Sequence, residues 1–197
     1  SLRRRQRQMC IRDRTNSACA IYTMVHTPEQ EYGIYHFLNK AQEDSILENS
    51  LYYQLENKSM ANENYLGSPA LAIKILQSSV QRYLFFDLEQ EALNNIMSFA
   101  RKHTIESRID TFNCDSLNEV LRLLPLLPKS TFLHIDPYEV DKANEDGKTY
   151  LDVLIHATKL GMKCLLWYGY MTINDKLELN KYCLLYTSDA ADDGESV

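Results

Sequence analysis

The chain has 197 residues, of which 45% are apolar and 24% are charged, and its formal net charge at pH 7 is −6. This composition is typical of a globular protein and excludes collagen-like and largely disordered chains. No apolar run reaches the length of about 18 residues that a membrane-spanning helix needs, so we expect no membrane partner. The five cysteines form no C-x-x-C pair and have no histidine at ligand spacing, so we expect neither a disulfide framework nor a metal site, and we expect a cytoplasmic protein.

The two ends of the chain differ from its middle. Residues 1–14 contain six arginines and one acidic residue, whereas residues 183–197 contain four acidic residues and no basic one. Both segments resemble translated sequencing-adapter sequence, so we expect them to be artefactual tails, with true coding sequence missing at both ends. The remaining residues, 15–182, keep a net negative charge.

The first part of the middle region predicts a helical segment, which we place at residues 15–64. Apolar side chains recur at helical spacing over residues 28–57. Residues 58–67 are polar and predict a loop. The pair Ser68-Pro69 then predicts a helix N-cap followed by a first-turn proline.

From residue 82 onward, short apolar runs alternate with helical patterns. Strands are predicted at residues 82–87, 107–113, 131–136 and 163–168. Helices are predicted at residues 89–103, 116–124 and 151–160. Strands of about six residues that alternate with helices of about ten to fifteen are typical of βαβ units and of a parallel sheet. We therefore predict an α/β fold.

Three of the four predicted strands lead to an aspartate, namely Asp87, Asp115 and Asp136. Ligands of parallel sheets bind beyond the carboxyl ends of the strands, so these side chains are candidates for a binding site. A second interpretation stays open, because aspartate is also common at strand ends as a turn former or helix N-cap. The sequence contains neither G-x-x-x-x-G-K-[ST] nor G-x-G-x-x-G, so neither an ATP-binding nor a dinucleotide-binding loop is indicated.

Five segments together resemble one known family. In chain order they are YLGSPALA (65–72), LFFDLE (84–89), FNCDS (112–116), FLHIDPYE (132–139) and LLWYG (165–169). The set is similar to the RlmJ-like adenine-N6 methyltransferases of 23S ribosomal RNA. The resemblance implies a partial, Rossmann-like class I methyltransferase domain over residues 65–182, which lacks the first cofactor-loop strand and the C-terminal strands. It also implies S-adenosyl-L-methionine as the cofactor and 23S rRNA as the partner.

The resemblance assigns four residues to the cofactor. Ser68, in the Gly-Ser-Pro turn, would contact it directly. Asp87 would bind the ribose hydroxyls, since a carboxylate can accept hydrogen bonds from both hydroxyls of a diol. Asp115 would accept the amino group of the cofactor's adenine, and Ser116 beside it occupies the place of a family glycine.

The resemblance assigns catalysis to Asp136 and Tyr138, which match part of the family's Asp-Pro-Pro-Tyr motif. The aspartate and the following proline carbonyl would accept both N–H groups of the target amine and turn its lone pair toward the methyl group. The tyrosine would stack on the extruded base. This chain has the single Pro137 where the family has two prolines. Two alternatives therefore stay open, a methyltransferase-like binding protein without activity and a methyltransferase acting on another amine.

Several further expectations follow from the sequence. His134 lies within an apolar strand and is expected to be a buried core residue, and Trp167 and Tyr168 are expected to be core aromatics. Residues 141–148 should form a solvated loop. The net negative charge shows no basic footprint for RNA, which favours a small substrate or a partner-bound enzyme. The sequence gives no oligomeric state.

Overall fold

The computed structural model describes residues 19–76, 80–137, 140–167, 173–174 and 176–177. The predicted tails, 1–14 and 183–197, lie outside these residues. The chain divides into two compact units, Ser1–Asp115 and Ser116–Val197. In the described part of the chain, no helix has both the length and the apolar character required to cross a bilayer.

The first unit contains a helical region, two pairs of short strands and a long amphipathic helix. Its strands are β1 (Ile21–Thr23), β2 (Asn64–Leu66), β3 (Tyr83–Phe86) and β4 (Ile109–Phe112). Its α-helices are α1 (Pro28–Gln30), α2 (His36–Glu43), α3 (Ser45–Glu48), α4 (Leu51–Met60), α5 (Ser68–Leu76) and α6 (Gln90–Lys102). A π-helical segment, Glu31–Tyr35, joins α1 to α2, and a 3-10 turn, Glu106–Arg108, precedes β4.

The strands of the first unit pair in two different ways. β1 and β2 are antiparallel, with Ile21 opposite Leu66. β3 and β4 are parallel, with Tyr83 opposite Ile109, and α6 connects them, so that together they form a βαβ unit. The apolar face of α6 packs on this unit in a core of Ala20, Leu66, Ala70, Ile73, Tyr83, Leu93, Ile96, Phe99, Ala100 and Ile109.

The second unit is a smaller βαβ arrangement preceded by one helix. Its elements are α7 (Ser116–Leu123), a 3-10 turn (Leu124–Leu126), β5 (Phe132–Ile135), α8 (Tyr150–Lys159) and β6 (Lys163–Leu166). β5 and β6 are parallel, with Phe132 opposite Lys163. Their inner face packs with α7 and α8 around Leu117, Leu124, Ile135, Val153, Ala157 and Met162. Gly161 follows α8 with a φ of 81°, a conformation that suits the glycine at a helix C-terminus.

The predicted α/β class is confirmed at the level of parallel strand pairs joined by helices. All four predicted strands and the three helices between residues 89 and 160 form within a few residues of their predicted bounds.

The helical pattern predicted over residues 28–57 is confirmed, but these residues form several helices rather than one, because two side chains start new helices inside the segment. The Asp44 carboxylate accepts the backbone N–H of Ile46 at 2.8 Å. The Ser50 hydroxyl accepts the backbone N–H of Tyr53 at 3.2 Å. Both capping residues have extended backbone conformations, which end the preceding helix.

The loop prediction for residues 58–67 is wrong in part, since α4 continues to Met60 and β2 begins at Asn64. Ser68 is also not the N-cap. The first helical hydrogen bond of α5 runs from the Leu71 N–H to the Gly67 carbonyl at 3.0 Å, which makes Gly67 the capping residue. Pro69 does lie in the first turn of α5, as predicted.

Two predicted core residues are exposed in the second unit. His134 lies on the face of β5 opposite the core and is solvent-exposed, so the prediction of a core histidine is wrong. Trp167, just after β6, is 39% exposed on the same face, so it is not a core aromatic either. Side chains alternate between the two faces of a strand, and an apolar run does not say which of its members face the core. Tyr168 lies outside the described residues.

Candidate functional site

The Gly67-Ser68-Pro69 turn is packed tightly against the segment that precedes β1. The Gly67 N–H donates to the Ala20 carbonyl at 2.9 Å. A Cβ at Gly67 would collide with the Cys19 carbonyl oxygen and with the ring of Tyr22. Glycine is therefore required here by close approach of the backbone. Ser68, which follows, is solvent-exposed at the start of α5.

A buried carboxylate holds the strand that leads into this turn. Glu56, on α4, is fully buried, and its Oε2 accepts the backbone N–H of Leu66 at 2.9 Å. Among the described residues its Oε1 has no hydrogen-bond partner. Burial raises the pKa of Glu56 to about 7, while the Leu66 N–H, the Tyr52 hydroxyl and Lys74 act to lower it. Glu56 cannot be recognised from the sequence, because one glutamate in a polar helix carries no signal of burial.

Asp87 follows β3 and is half-buried. Its backbone N–H donates to the Phe112 carbonyl at 3.1 Å, which extends the β3–β4 ladder by one residue. Its Oδ1 accepts the backbone N–H of Glu89 at 2.7 Å. The carboxylate therefore acts as a turn former before α6, as the second interpretation of the strand-end aspartates expected. This hydrogen bond also fixes the orientation of the carboxylate.

Asn113 is a residue that sequence reasoning missed. Its Nδ2 donates to the backbone carbonyls of Asp87 and Leu88, at 3.2 and 2.9 Å. Phe86 and Phe112, the last register pair of the ladder, stack with ring centroids 4.6 Å apart. The ends of β3 and β4 are thus held together, and the only sequence signal for Asn113 is its place as the last residue of a predicted strand.

Asp115 and Ser116 lie where the loop after β4 leads into α7. Asp115 is exposed, three residues beyond the end of β4. Ser116 is half-buried and is the first residue of α7. Its hydroxyl lies 2.8 Å from the Tyr150 hydroxyl, a hydrogen bond that links α7 to α8 within the second unit. Ser116 therefore has a packing role in addition to the cofactor role predicted for it.

Asp136 lies at the carboxyl end of β5 in the second unit and is exposed, whereas Pro137 beside it is buried. The Trp167 N–H donates to the Ile135 carbonyl at 2.9 Å, so the β5–β6 ladder continues to the residue before Asp136. Tyr138, the predicted base-stacking residue, lies outside the described residues.

The predicted loop at residues 141–148 is confirmed, and it is tied to α7. The Asn144 Nδ2 donates to the Asn118 Oδ1 at 2.8 Å, and the Asn118 Nδ2 donates to Asp146 at 3.0 Å. The Asn144 Oδ1 also accepts the backbone N–H of Lys148 at 2.9 Å. The segment that follows the predicted catalytic residues is therefore ordered by amide side chains.

The structure brings some of the predicted residues together. Asp87 and the segment that leads to Asp115 leave the same edge of the β3–β4 pair, since parallel strands end on one side. Ser68 is at the start of α5 in the same unit, while Ser116 and Asp136 belong to the second unit. Within the described residues, no group of three or more histidine, cysteine or acidic side chains is arranged to bind a metal.

Comparison with known proteins assigns no family to the chain. No protein-family model matches it, and a search of curated proteins gives no match. The resemblance carried by the five sequence segments therefore stays a prediction.

Proposed function

We propose that this chain is a Rossmann-like class I methyltransferase that binds S-adenosyl-L-methionine and methylates the N6 amine of adenine in 23S ribosomal RNA. The observation that supports the proposal most is the way in which β3, β4 and β5 each end, taken strand by strand. Each strand has a parallel partner, and each leads at its carboxyl end to an aspartate: Asp87, Asp115 or Asp136. Ligands of α/β proteins bind at such strand ends. A ribosomal RNA substrate is consistent with a cytoplasmic location.

The residues of the first unit fit the cofactor in their chemistry. Asp87 is a carboxylate with a fixed orientation, suited to accepting hydrogen bonds from the two hydroxyls of a ribose. Asp115 is an exposed acceptor for an adenine amino group, with Ser116 beside it. The exposed Ser68 would contact the cofactor from the start of α5. S-Adenosyl-L-methionine supplies an activated methyl group on a sulfonium sulfur.

Asp136 and the Pro137 carbonyl would hold the target amine. The amine of adenine is a weak nucleophile, because its lone pair is delocalised into the ring. Two acceptors that take both N–H groups orient this lone pair toward the methyl group, and the rate gain comes from positioning. The buried Pro137 anchors the backbone next to the exposed Asp136. Tyr138 would stack on the base.

A second candidate is a methyltransferase-like binding protein without catalytic activity. The observation that favours it is the single proline between Asp136 and Tyr138, which shifts the acceptor pair relative to the stacking ring. A displacement of about 1 Å can lower a rate by on the order of a hundredfold. The same change would suit an enzyme that acts on a different amine. The net negative charge favours a small substrate, or an enzyme that is bound to a partner, over free RNA.

Transfer of labelled methyl groups to unmodified 23S rRNA tests the proposal. We expect transfer by the wild-type chain and a loss on the order of a hundredfold in Asp136→Ala, which removes the side-chain acceptor of the target amine. The affinity of this variant for S-adenosylhomocysteine should be unchanged. Asp141→Ala, which removes an exposed aspartate side chain in the adjacent loop, is the matched control and should retain activity.

The outcomes separate the candidates. A wild-type chain that binds S-adenosylhomocysteine but transfers no methyl group to RNA or to small amines is the binding protein. Transfer to a small amine alone identifies the other substrate class. A folded chain that does not bind S-adenosylhomocysteine contradicts the proposal and the binding-protein alternative alike.

A further inference from the structure

Glu56 is placed where it can control the turn that carries Ser68. Its carboxylate is fully buried on α4 and accepts the N–H of Leu66, the last residue of β2. Gly67 and Ser68 follow at once. A buried carboxylate is costly unless its hydrogen bonds compensate, so this contact strongly favours one position of the strand end.

The turn is confined from a second direction. The Gly67 N–H donates to the Ala20 carbonyl, and the backbone of Cys19 leaves no space for a side chain at Gly67. The strand end is thus held by Glu56 on one side and by the segment before β1 on the other. Loss of either contact allows the turn, and Ser68 with it, to shift.

The groups that act on Glu56 come from three elements. Tyr52 is one turn earlier on α4, Leu66 is on β2 and Lys74 is on α5. The Glu56 carboxylate and burial together raise the pKa of Tyr52 to about 12, so its hydroxyl stays protonated near neutral pH. Among the groups that act on Glu56, Lys74 is the one positive charge, and none is a second carboxylate.

We propose that Glu56 is a positioning residue for the cofactor, which acts through the Leu66 N–H to hold the Gly67-Ser68 turn in its binding geometry. The inference rests on the proposed function, since it takes Ser68 to contact the cofactor. It assigns Glu56 no contact with the cofactor. Glu56 is needed only as a buried hydrogen-bond acceptor for the N–H of Leu66, the last residue of β2.

The test uses the full chain and two variants of Glu56. In Glu56→Gln the amide oxygen still accepts the Leu66 N–H, whereas Glu56→Leu removes the acceptor and keeps the apolar volume. We expect hydrogen exchange of the Leu66 amide to be slow in the wild type and in Glu56→Gln, and about tenfold or more faster in Glu56→Leu. The dissociation constant of S-adenosylhomocysteine should rise about tenfold in Glu56→Leu and less than about threefold in Glu56→Gln.

Gln30→Leu is the matched control. Gln30 is also buried, and its side chain accepts the N–H groups of Val25 and His26 and donates to the Thr23 carbonyl, away from the turn. Its loss should lower the melting temperature but leave both Leu66 exchange and S-adenosylhomocysteine affinity at wild-type values.

Each outcome decides one of the two claims. The inference is overturned if the Leu66 amide of the wild type exchanges as fast as in an unfolded chain. It is also overturned if Glu56→Leu changes neither the exchange of this amide nor the affinity for S-adenosylhomocysteine. If Glu56→Leu does not fold, a loss of affinity in folded Glu56→Gln overturns it, and retained affinity supports it. If the wild type shows the expected exchange but binds no S-adenosylhomocysteine, the proposed function fails, and with it the cofactor part of the inference.

Discussion

Asp87 has a structural contact and a proposed ligand contact on the same carboxylate. Its Oδ1 accepts the Glu89 N–H at 2.7 Å, and an asparagine can retain this hydrogen bond. We expect Asp87→Asn to keep wild-type stability but to raise the dissociation constant of S-adenosylhomocysteine about tenfold or more, because a neutral amide binds a ribose diol less well than a carboxylate. Asp87→Ala should weaken S-adenosylhomocysteine binding in the same way. It should also lower the free energy of unfolding by about 1 kcal/mol, because the hydrogen bond to the Glu89 N–H is lost.

Calorimetric titration and urea unfolding measure the two effects separately. Glu91→Gln, an exposed change on α6, is the control and should alter neither quantity. Equal affinity in wild type and Asp87→Asn would remove Asp87 from the binding site and leave it as a turn former only.

For single residues, the sequence could indicate those whose place follows from a predicted strand. It could not indicate those whose role depends on a contact with a distant residue. Asp87, Asp115 and Asp136 could be selected because each lies at or just beyond the end of a predicted strand. Glu56 could not, because its burial depends on a partner ten residues away on a strand that the sequence did not predict. His134 was misplaced because an apolar run does not show which face of the strand meets the core.

Among the elements, the turn before α5 provides a stringent stability test. Gly67→Ala would place a methyl group against the Cys19 carbonyl and the Tyr22 ring. We expect it to lower the free energy of unfolding by about 1–3 kcal/mol, since the backbone must move to relieve the overlap. Denaturant unfolding followed by circular dichroism measures this change.

Gly33→Ala is the corresponding control. Gly33 lies in the π-helical segment, and a Cβ there has no atom within 4 Å. Alanine should stabilise the chain there by about 0.5–1 kcal/mol, because it reduces the freedom of the unfolded state and favours helix. If both substitutions had the same effect, the close approach at Gly67 would be excluded as the cause.

Helix α8 is predicted to depend on its N-terminal capping box. The Thr149 hydroxyl accepts the Asp152 N–H at 3.3 Å, and the Asp152 carboxylate accepts the Thr149 N–H at 2.7 Å. Thr149→Ala should destabilise the chain by about 1 kcal/mol in thermal unfolding. Thr158→Ala, which removes a hydroxyl bonded only to carbonyls of its own helix, should be close to neutral. A larger loss at Thr158 than at Thr149 would contradict this assignment.

The sequence predicted the longer elements well and the shortest ones poorly. The four predicted strands follow from apolar runs bounded by polar residues, and α6 follows from a clear helical period. β1 and β2 have three residues each, too few to show a period, and they form because they pair with each other. The breaks within residues 28–57 depend on capping hydrogen bonds of Asp44 and Ser50.

For the whole molecule, Glu56 gives stability a distinctive dependence on pH. Burial raises its pKa from 4.5 to about 7, so between these values the folded chain keeps a proton that the unfolded chain has released. The stabilisation that protonated Glu56 contributes to the folded chain is fully present below about pH 4.5, and it is lost as the pH rises through about 7. Relative to Glu56→Gln, the wild-type free energy of unfolding should fall by roughly 2 to 3 kcal/mol between about pH 5 and about pH 8.

Urea unfolding of both chains across this range provides the measurement. The exposed-site variant Glu91→Gln should follow the wild-type curve. Parallel curves for wild type and Glu56→Gln would mean that Glu56 titrates with its ordinary pKa in the folded chain. This result would contradict the raised pKa and the burial that causes it.

The division into two units is the whole-molecule feature that the sequence did not predict. The sequence pattern indicated one partial domain over residues 65–182, and the division after Asp115 falls within that range. Periodicity identifies strands and the faces of helices, but which strands pair depends on contacts between distant residues. The parallel β3–β4 and β5–β6 pairs could be predicted because a helix separates the two strands of each pair.

Hydrogen exchange with and without saturating S-adenosylhomocysteine is the most informative measurement of cofactor binding, because it reports on all proposed cofactor segments of the first unit at once. We expect added protection in three segments together: around Ser68, around Asp87 and from Asn113 to Asp115. Unchanged exchange in all three segments of a folded chain, at millimolar S-adenosylhomocysteine, would contradict the proposed cofactor binding.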